Sequence, residues 1–293
     1  MKCLFVGVFS EGSTNNSQAA CLQKHGVDTV MYDYREKRDL LGIDGRDAHL
    51  SDMIREKGFD FVLIAKGRGI SADVIKKSPC RTILWYPDTM NSNWNDELIK
   101  KIKVADVVAC AWTTPAEKAK LFNKNSHRIC EGFDPEIDKP IKSWEEPDWA
   151  TFIGQNDGTR QPYMRAQFHP TNHRRSRIKH INNAYGIEHS KAVGLSLINL
   201  NFTRQGGSSD RVYKVLAAGG FLLTQPWPGM EQDFEPHKDF ALFDGVEDMA
   251  KKIEYYLENP VFREVIQKNG TITVQKFSRM KWAERIIDLA TTD

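Results

Sequence analysis

Residues 208–224 read as a polar loop, a short helix, a glycine stop and a buried strand. Ser208-Ser209-Asp210-Arg211-Val212-Tyr213-Lys214 leads into Val215-Leu216-Ala217-Ala218-Gly219-Gly220 and then Phe221-Leu222-Leu223-Thr224. Small polar residues ahead of a helix leave its first N–H groups free, and with the helix dipole they form an anion site. Arg211 sets a fixed cation in that first turn, where the dipole disfavours one unless an anion binds beside it. A nucleotide diphosphate suits such a loop. The plainer reading is a capped helix with Asp210 and Lys214 as an i,i+4 pair worth roughly 0.2–0.5 kcal/mol. The residues alone leave both readings open.

Gly7-Val8-Phe9-Ser10-Glu11-Gly12-Ser13-Thr14 approaches the GxxxxGK[ST] phosphate loop but lacks its lysine, so ATP hydrolysis is a poor fit. A Gly/Ser loop offering N–H groups to a donor phosphate or an acceptor remains. Asp-x-Asp is absent from the sequence, which removes the simplest carboxylate clamp for a metal bridging a diphosphate. No metal and no cofactor are therefore expected. The charge of a sugar diphosphate would fall to arginine, lysine and helix N-termini, and the second half supplies Arg160, Arg204, Arg211 and Lys214, three of them beside expected strand ends. Taken singly, most arginines only solvate a surface. For acid–base work the first half offers Glu11 in the glycine loop and Asp88 in Trp85-Tyr86-Pro87-Asp88-Thr89. A carboxylate after a strand could deprotonate an acceptor hydroxyl, although an aspartate there more often caps a turn or helix. A Ser/His/Asp elbow or Cys/His dyad in recognisable context is not found.

The elements that would position these residues alternate. Expected strands span 3–8, 29–34, 61–65, 82–86, 107–111 and 127–130, with helical spacing over 17–24, 50–57, 72–77, 95–104 and 115–122. Such alternation means βαβ units and a parallel sheet covered on both faces. Prolines and turn formers crowd residues 132–148, which sets a domain boundary near Ser143, giving domains 1–143 and 144–293. A second alternation follows, with strands at 149–154, 195–200, 220–224 and 239–243. Val246, Met249, Ala250, Ile253 and Leu257 mark an amphipathic helix over 246–258. Pro260 fits the first turn of the next helix, and a last helix over 281–289 would pack back on the first domain. Ligands in doubly wound sheets bind outside the strand C-terminal ends, so a central cleft between two facing domains is the expected site.

Bulk composition agrees with a globular protein. The chain has 293 residues, 40% apolar and 27% charged, which excludes a disordered tail and favours two domains. Apolar runs fall short of the roughly 20 residues a bilayer span needs, and the N-terminus turns polar too early for a signal peptide; a cytoplasmic protein without membrane contact is expected. Cys3, Cys21, Cys80, Cys110 and Cys130 form no CxxC or Cys/His cluster and read as reduced thiols. A net charge of +2 excludes a polycation. The basic run His173-Arg174-Arg175-Ser176-Arg177-Ile178-Lys179-His180 would suit a phosphate-rich partner or a solvated face. Lys100-Lys101-Ile102-Lys103 is a smaller run.

From Asn199 to about Ile287 the chain resembles the C-terminal half of the CgeB-like glycosyltransferases. The carrying residues are Asp210 to Thr224 as quoted above, then Pro228-Gly229-Met230-Glu231-Gln232-Asp233-Phe234-Glu235-Pro236 and Ile253-Glu254-Tyr255-Tyr256-Leu257-Glu258-Asn259-Pro260. Phe152-Ile153-Gly154 with Arg160 and Ser190-Lys191 also fit; Gly12-Ser13-Thr14 and Phe133-Asp134-Pro135-Glu136 are weaker matches. The resemblance implies a GT-B fold of two Rossmann-like domains, with a nucleoside diphosphate sugar held mainly by the second and no metal required; a UDP-sugar is the expected donor. With the residue reading above, the donor side then comprises Gly12, Ser13, Arg160, Asn201, Arg204, Ser208, Ser209, Asp210, Arg211 and Lys214, and Asp88 and Glu11 stand as the candidate catalytic carboxylates. Related enzymes commonly place a glutamate on the ribose where this chain has Lys214, so the donor's base and sugar do not carry over. Compact members look similar to bacteriophage-type transferases that decorate hydroxymethylated pyrimidines in double-stranded DNA, which would put Arg174, Arg175, Arg177 and Lys179 on the acceptor. Saccharide, protein and small-metabolite acceptors stay open, as do a nucleotide-sugar epimerase or hydrolase and a non-catalytic nucleic-acid-binding module.

Overall fold

The computed structural model describes residues 1–90, 94–141, 146–168 and 176–292, and the chain divides into two compact units. The first is Met1–Glu131 with Gln205–Gly207 and Arg279–Asp293; the second is Gly132–Arg204 with Ser208–Ser278. The expected boundary at Ser143 falls in 142–145, outside the described residues.

In the first unit the order is β1 (Lys2–Gly7), α1 (Thr14–Lys24), β2 (Asp28–Asp33), α2 (Tyr34–Glu56), β3 (Phe61–Ala65) and α3 (Ala72–Lys76). Then come β4 (Arg81–Tyr86), α4 (Asp96–Val104), β5 (Val107–Cys110), α5 (Thr113–Lys120) and β6 (Ser126–Arg128). All six strands are parallel, in the order β2-β1-β3-β4-β5-β6. Every residue of β3 and β5 is buried, as inner parallel strands covered on both faces require. Leu4, Val62, Leu84 and Val108 join Leu50, Ile54 and Ile102 from the helices in one core. Helix α2 starts well before the expected 50–57. Its backbone leaves helical geometry at Gly42 (φ 73°), and the segment ahead of that kink buries little besides Tyr34, so it shows no apolar period.

The second unit runs β7 (Asp148–Ile153), α6 (Gln161–Met164), β8 (Gln167–Phe168), β9 (Ser176–Arg177), β10 (Lys179–Ile181), α7 (Ile187–Gly194) and β11 (Ser196–Asn201). It continues through α8 (Arg211–Ala217), β12 (Leu222–Thr224), β13 (Ala241–Leu242), α9 (Gly245–Glu258) and α10 (Pro260–Thr273). Its main sheet is parallel, in the order β10-β7-β11-β12-β13, beside a small antiparallel β8–β9 ladder. Strand 239–243 shrinks to β13, and β8, β9, β10 and α7 occupy a stretch that carried no expected element. The closing helix α11 (Arg279–Thr291) belongs to the first unit, where Trp282 meets Phe5 and Trp85 at 6.5 and 5.6 Å.

Both sheets are Rossmann-like, and strand order reverses beside the first strand of each: between β1 and β3, and between β7 and β11. Loops leaving such a reversal diverge and open a crevice for ligands. All five cysteines are thiols. Among the described residues, no helix is long and apolar enough to cross a membrane.

Candidate functional site

At the β7/β11 reversal, Phe152 is the platform. The Arg211 guanidinium lies 4.8 Å from its ring centroid, that of Arg160 lies at 5.1 Å, and the His180 ring stacks on it at 5.6 Å and 15°. His180 is the register partner of Phe152 on the neighbouring strand, and its Nε2 sits 2.7 Å from the Gly154 carbonyl. Arg211 is fixed along its length. Its Nε donates to Ile153 O at 2.6 Å, and its Nη1 to Asn201 Oδ1 at 3.0 Å and Ser209 Oγ at 3.1 Å. The Asn201 amide is oriented in turn by donating to Ser208 Oγ and Thr224 Oγ1, and its Oδ1 accepts from Ser209 Oγ as well. Position 154 must be glycine, since φ is 143° and a Cβ would strike Arg211 Nη2.

The electrostatics are lopsided. Arg204 pairs with Asp157 at 2.6 Å, while Arg160, 8% exposed, reaches the same oxygen at 3.9 Å and also donates to Gln155 O. Among the described residues, Arg211 has no carboxylate at ion-pair distance. Burial pulls its pKa down to about 10; nearby Asp210 opposes this, and Arg160 and Arg204 add to it. Burial lowers Arg160 too, against the pull of Asp157. For Asp157, burial would raise the carboxyl, but the Thr159 hydroxyl and the guanidiniums of Arg160 and Arg204 outweigh it and hold it below the usual range. Lys214 is turned onto Asp210 at 2.5 Å, the i,i+4 pair of the plainer reading. With that pair neutral and one guanidinium matched by Asp157, two positive charges are left over. Helix α8 spans seven residues, and its Val212 N–H already bonds Ser209 O; the surplus positive charge here sits on the guanidiniums.

The remaining expected residues are spread out. Glu11, Gly12, Ser13 and Asp88 belong to the first unit. Glu11 and Gly12 (φ 74°) lie in an exposed turn, and Ser13 caps α1 while its hydroxyl donates to Val8 O at 2.6 Å. Asp88 stands after β4 with Lys66 on one oxygen at 2.7 Å and Arg68 on the other at 3.2 Å. Burial, with Asp88 nearby, raises the Tyr86 hydroxyl's pKa. Arg174 and Arg175 lie outside the described residues. Arg177 is exposed on β9, and Lys179 pairs with Asp148 at 2.6 Å. Within the smaller basic run, Lys101 is no solvated cation: it is 2% exposed and bonded to Gly67 O and Glu97. Phe152, His180 and Asp157 were not anticipated as site residues. The aromatic ahead of Gly154 is the one sequence cue for them. Among the described residues, no group of three or more His, Cys, Asp or Glu side chains is arranged to hold a metal ion.

Residues 150–290 match the family model described as glycosyl transferase-like. That segment contains the whole Arg211 cluster. No curated relative matches the chain by sequence. Among solved structures, the chain is similar to Anabaena Alr3699/HepE in complex with UDP-glucose, at 11% identity and a TM-score of 0.75 over 98% of each chain. Sucrose-phosphate synthase from Thermosynechococcus elongatus is 14% identical with a TM-score of 0.68, over 99% of this chain and 98% of that one. An alpha-glucosyltransferase in complex with UDP-glucose and DNA containing an abasic site is 10% identical with a TM-score of 0.66, over 99% of each. At such identities the shared property is the fold, which is GT-B.

Proposed function

We propose that this chain is a glycosyltransferase of CgeB-like type, moving a sugar from a UDP-sugar to a hydroxyl acceptor. The observation that carries the proposal is the pair of unmatched positive charges among Arg160, Arg204 and Arg211 at a strand-order reversal, with Arg160 and Arg211 stacked on Phe152 and Arg204 paired with Asp157. A diphosphate supplies two acceptor-rich phosphate groups to such a site, and guanidiniums bind them with charge-assisted hydrogen bonds. As the bond from sugar to diphosphate breaks, negative charge builds on the leaving oxygen. Fixed cations stabilise that charge without reorganising at the moment of reaction. In this reading the guanidiniums, and not a metal ion, meet the diphosphate. Asn201 and Ser209 hold Arg211 in place, and the Phe152 face lowers the cost of its burial through cation–π attraction.

For the acceptor, the best reading is a hydroxymethylated pyrimidine in duplex DNA. Its support is the fold shared with an alpha-glucosyltransferase captured on DNA and the exposed Arg177. A base inside a duplex must be flipped out to react.

Thermal denaturation against a panel of nucleoside diphosphate sugars tests the donor. A ligand at a hundredfold excess over Kd adds about 2.7 kcal/mol of stability, and Arg211→Ala should abolish the gain. UDP release in the presence of hydroxymethylated duplex, compared with unmodified duplex, tests the acceptor. A panel in which no donor raises stability would end the proposal.

A further inference from the structure

In the first unit, the loop leaving β3 at the other strand-order reversal has an unusual backbone. Lys66, Gly67 and Gly69 have φ of 62°, 57° and 74°. A lysine in the left-handed region is strained, and such residues persist where the surroundings over-determine them, commonly at ligand clamps. The surroundings here do so. Two cations shut away from solvent, Arg46 and Lys101 at 1% and 2% exposure, donate to the carbonyls of Gly69 and Gly67. Glu97 Oε1 accepts the Gly69 N–H at 2.8 Å, and Asp47 accepts that of Ser71 at 2.9 Å.

This scaffold presents Lys66 and Arg68 side by side, partly exposed, on either oxygen of Asp88. They line a cavity of about 90 Å³ with Tyr86, Asn95, Glu97 and Lys101. One water needs roughly 10–15 Å³ by the same measure, so the cavity has room for a group several times larger. An ammonium carries three N–H donors and a guanidinium five. Among the described residues, Asp88 is the one side-chain partner of both Lys66 and Arg68. Most of their donors are unspent, while Asp88 neutralises one of the two charges and steadies both groups.

We propose that Lys66 and Arg68 form a clamp for one phosphate group of the acceptor substrate. A phosphate offers oxygens that only accept, which matches a surplus of donors. The clamp is small enough for one phosphoryl group, either a phosphodiester of DNA or a phosphomonoester on a small acceptor. Assigning the phosphate to an acceptor rests on the proposed sugar transfer; the phosphate site itself does not.

Calorimetric titration with inorganic phosphate, with UDP present in excess to occupy the second unit, tests the clamp against chloride at equal ionic strength. Lys66→Gly removes the ammonium and suits the left-handed backbone, so it should fold; Arg68→Gln is the second variant. Each should weaken phosphate at least tenfold while UDP affinity stays unchanged. Parallel titrations with glucose 6-phosphate and a duplex oligonucleotide identify the source as the probe whose affinity falls in both variants. Equal phosphate affinity in the wild type and both folded variants, or no phosphate binding by the wild type, overturns the clamp. Failure of UDP to bind strikes at the proposed function instead, and the phosphate titration then decides the clamp without UDP.

Discussion

Gly154→Ala is the sharpest probe of the donor site, because the substitution acts on Arg211 without touching its chemistry. At φ 143° an alanine is strained by about 1–3 kcal/mol. Its Cβ would also strike Arg211 Nη2. A guanidinium end normally swings aside cheaply, but this one is tied to Ile153 O, Asn201 and Ser209. Moving it sacrifices bonds of about 1.5–3 kcal/mol each where a charge is involved. Losing one such contact to the diphosphate weakens UDP binding about tenfold to hundredfold. The matched control is Gly158→Ala. It has φ 80° in the same loop and nothing within 4 Å of the new Cβ, so it carries comparable backbone strain and no collision. Calorimetric UDP titration and urea denaturation of both variants give the comparison. We expect both to lose stability and Gly154→Ala alone to lose UDP. A folded Gly154→Ala protein that binds UDP as tightly as wild type, or a Gly158→Ala protein that loses as much, would refute the reasoning.

Asn201→Asp places a carboxylate against Arg211 inside the core. It should weaken UDP at least tenfold by competing as an internal anion, yet unfold at a higher urea concentration than Asn201→Ala, which strands buried partners at about 1–3 kcal/mol. The Asp157 carboxyl is held below its ordinary range because the Thr159 hydroxyl and the two guanidiniums outweigh its burial. Its stabilisation is therefore complete above the unfolded-state pKa and lost as pH falls through the folded value; melting temperatures measured below about pH 4 should decline less steeply in Asp157→Asn than in wild type. In Gly270→Ala, helix α10 gains about 1 kcal/mol of propensity, but the Cβ would run into the Asp239 carbonyl and lie 2.8 Å from Leu216 Cδ2. Overpacking of about 1–3 kcal/mol against backbone should win, and chemical denaturation should show a net loss.

The parallel sheet of the first unit was legible because its inner strands are apolar runs. Phe61-Val62-Leu63-Ile64-Ala65 has no other place to go than a sheet covered on both faces. What escaped was built without burial or period. The first part of α2 is held by the Asp33 cap, which accepts from Arg35 and Glu36, and exposes most of its side chains. Strands β9 and β10 are two and three residues long and largely exposed; their pairing comes from β8 and β7, a tertiary fact that no local pattern records.

The same distinction runs through the site. Arg160, Arg204 and Arg211 were legible as residue types after strand ends, and that placement follows from topology. Their setting was not, because Phe152 and His180 meet only when β10 pairs with β7 in parallel register. Along the chain, His180 closes a run of basic residues; across the sheet it stacks on Phe152, the same ring that two guanidiniums approach. Lys101 makes the point again. It lies between Lys100 and Lys103 in sequence, but the phase of α4 turns it inward with Leu98 and Ile102, and its charge is spent bracing the Gly67 carbonyl. A run of like charges therefore reports composition. Which of those charges can meet a ligand is decided by helix phase and strand register, so a phosphate site in this protein is to be sought where strand order reverses and donors outnumber carboxylates.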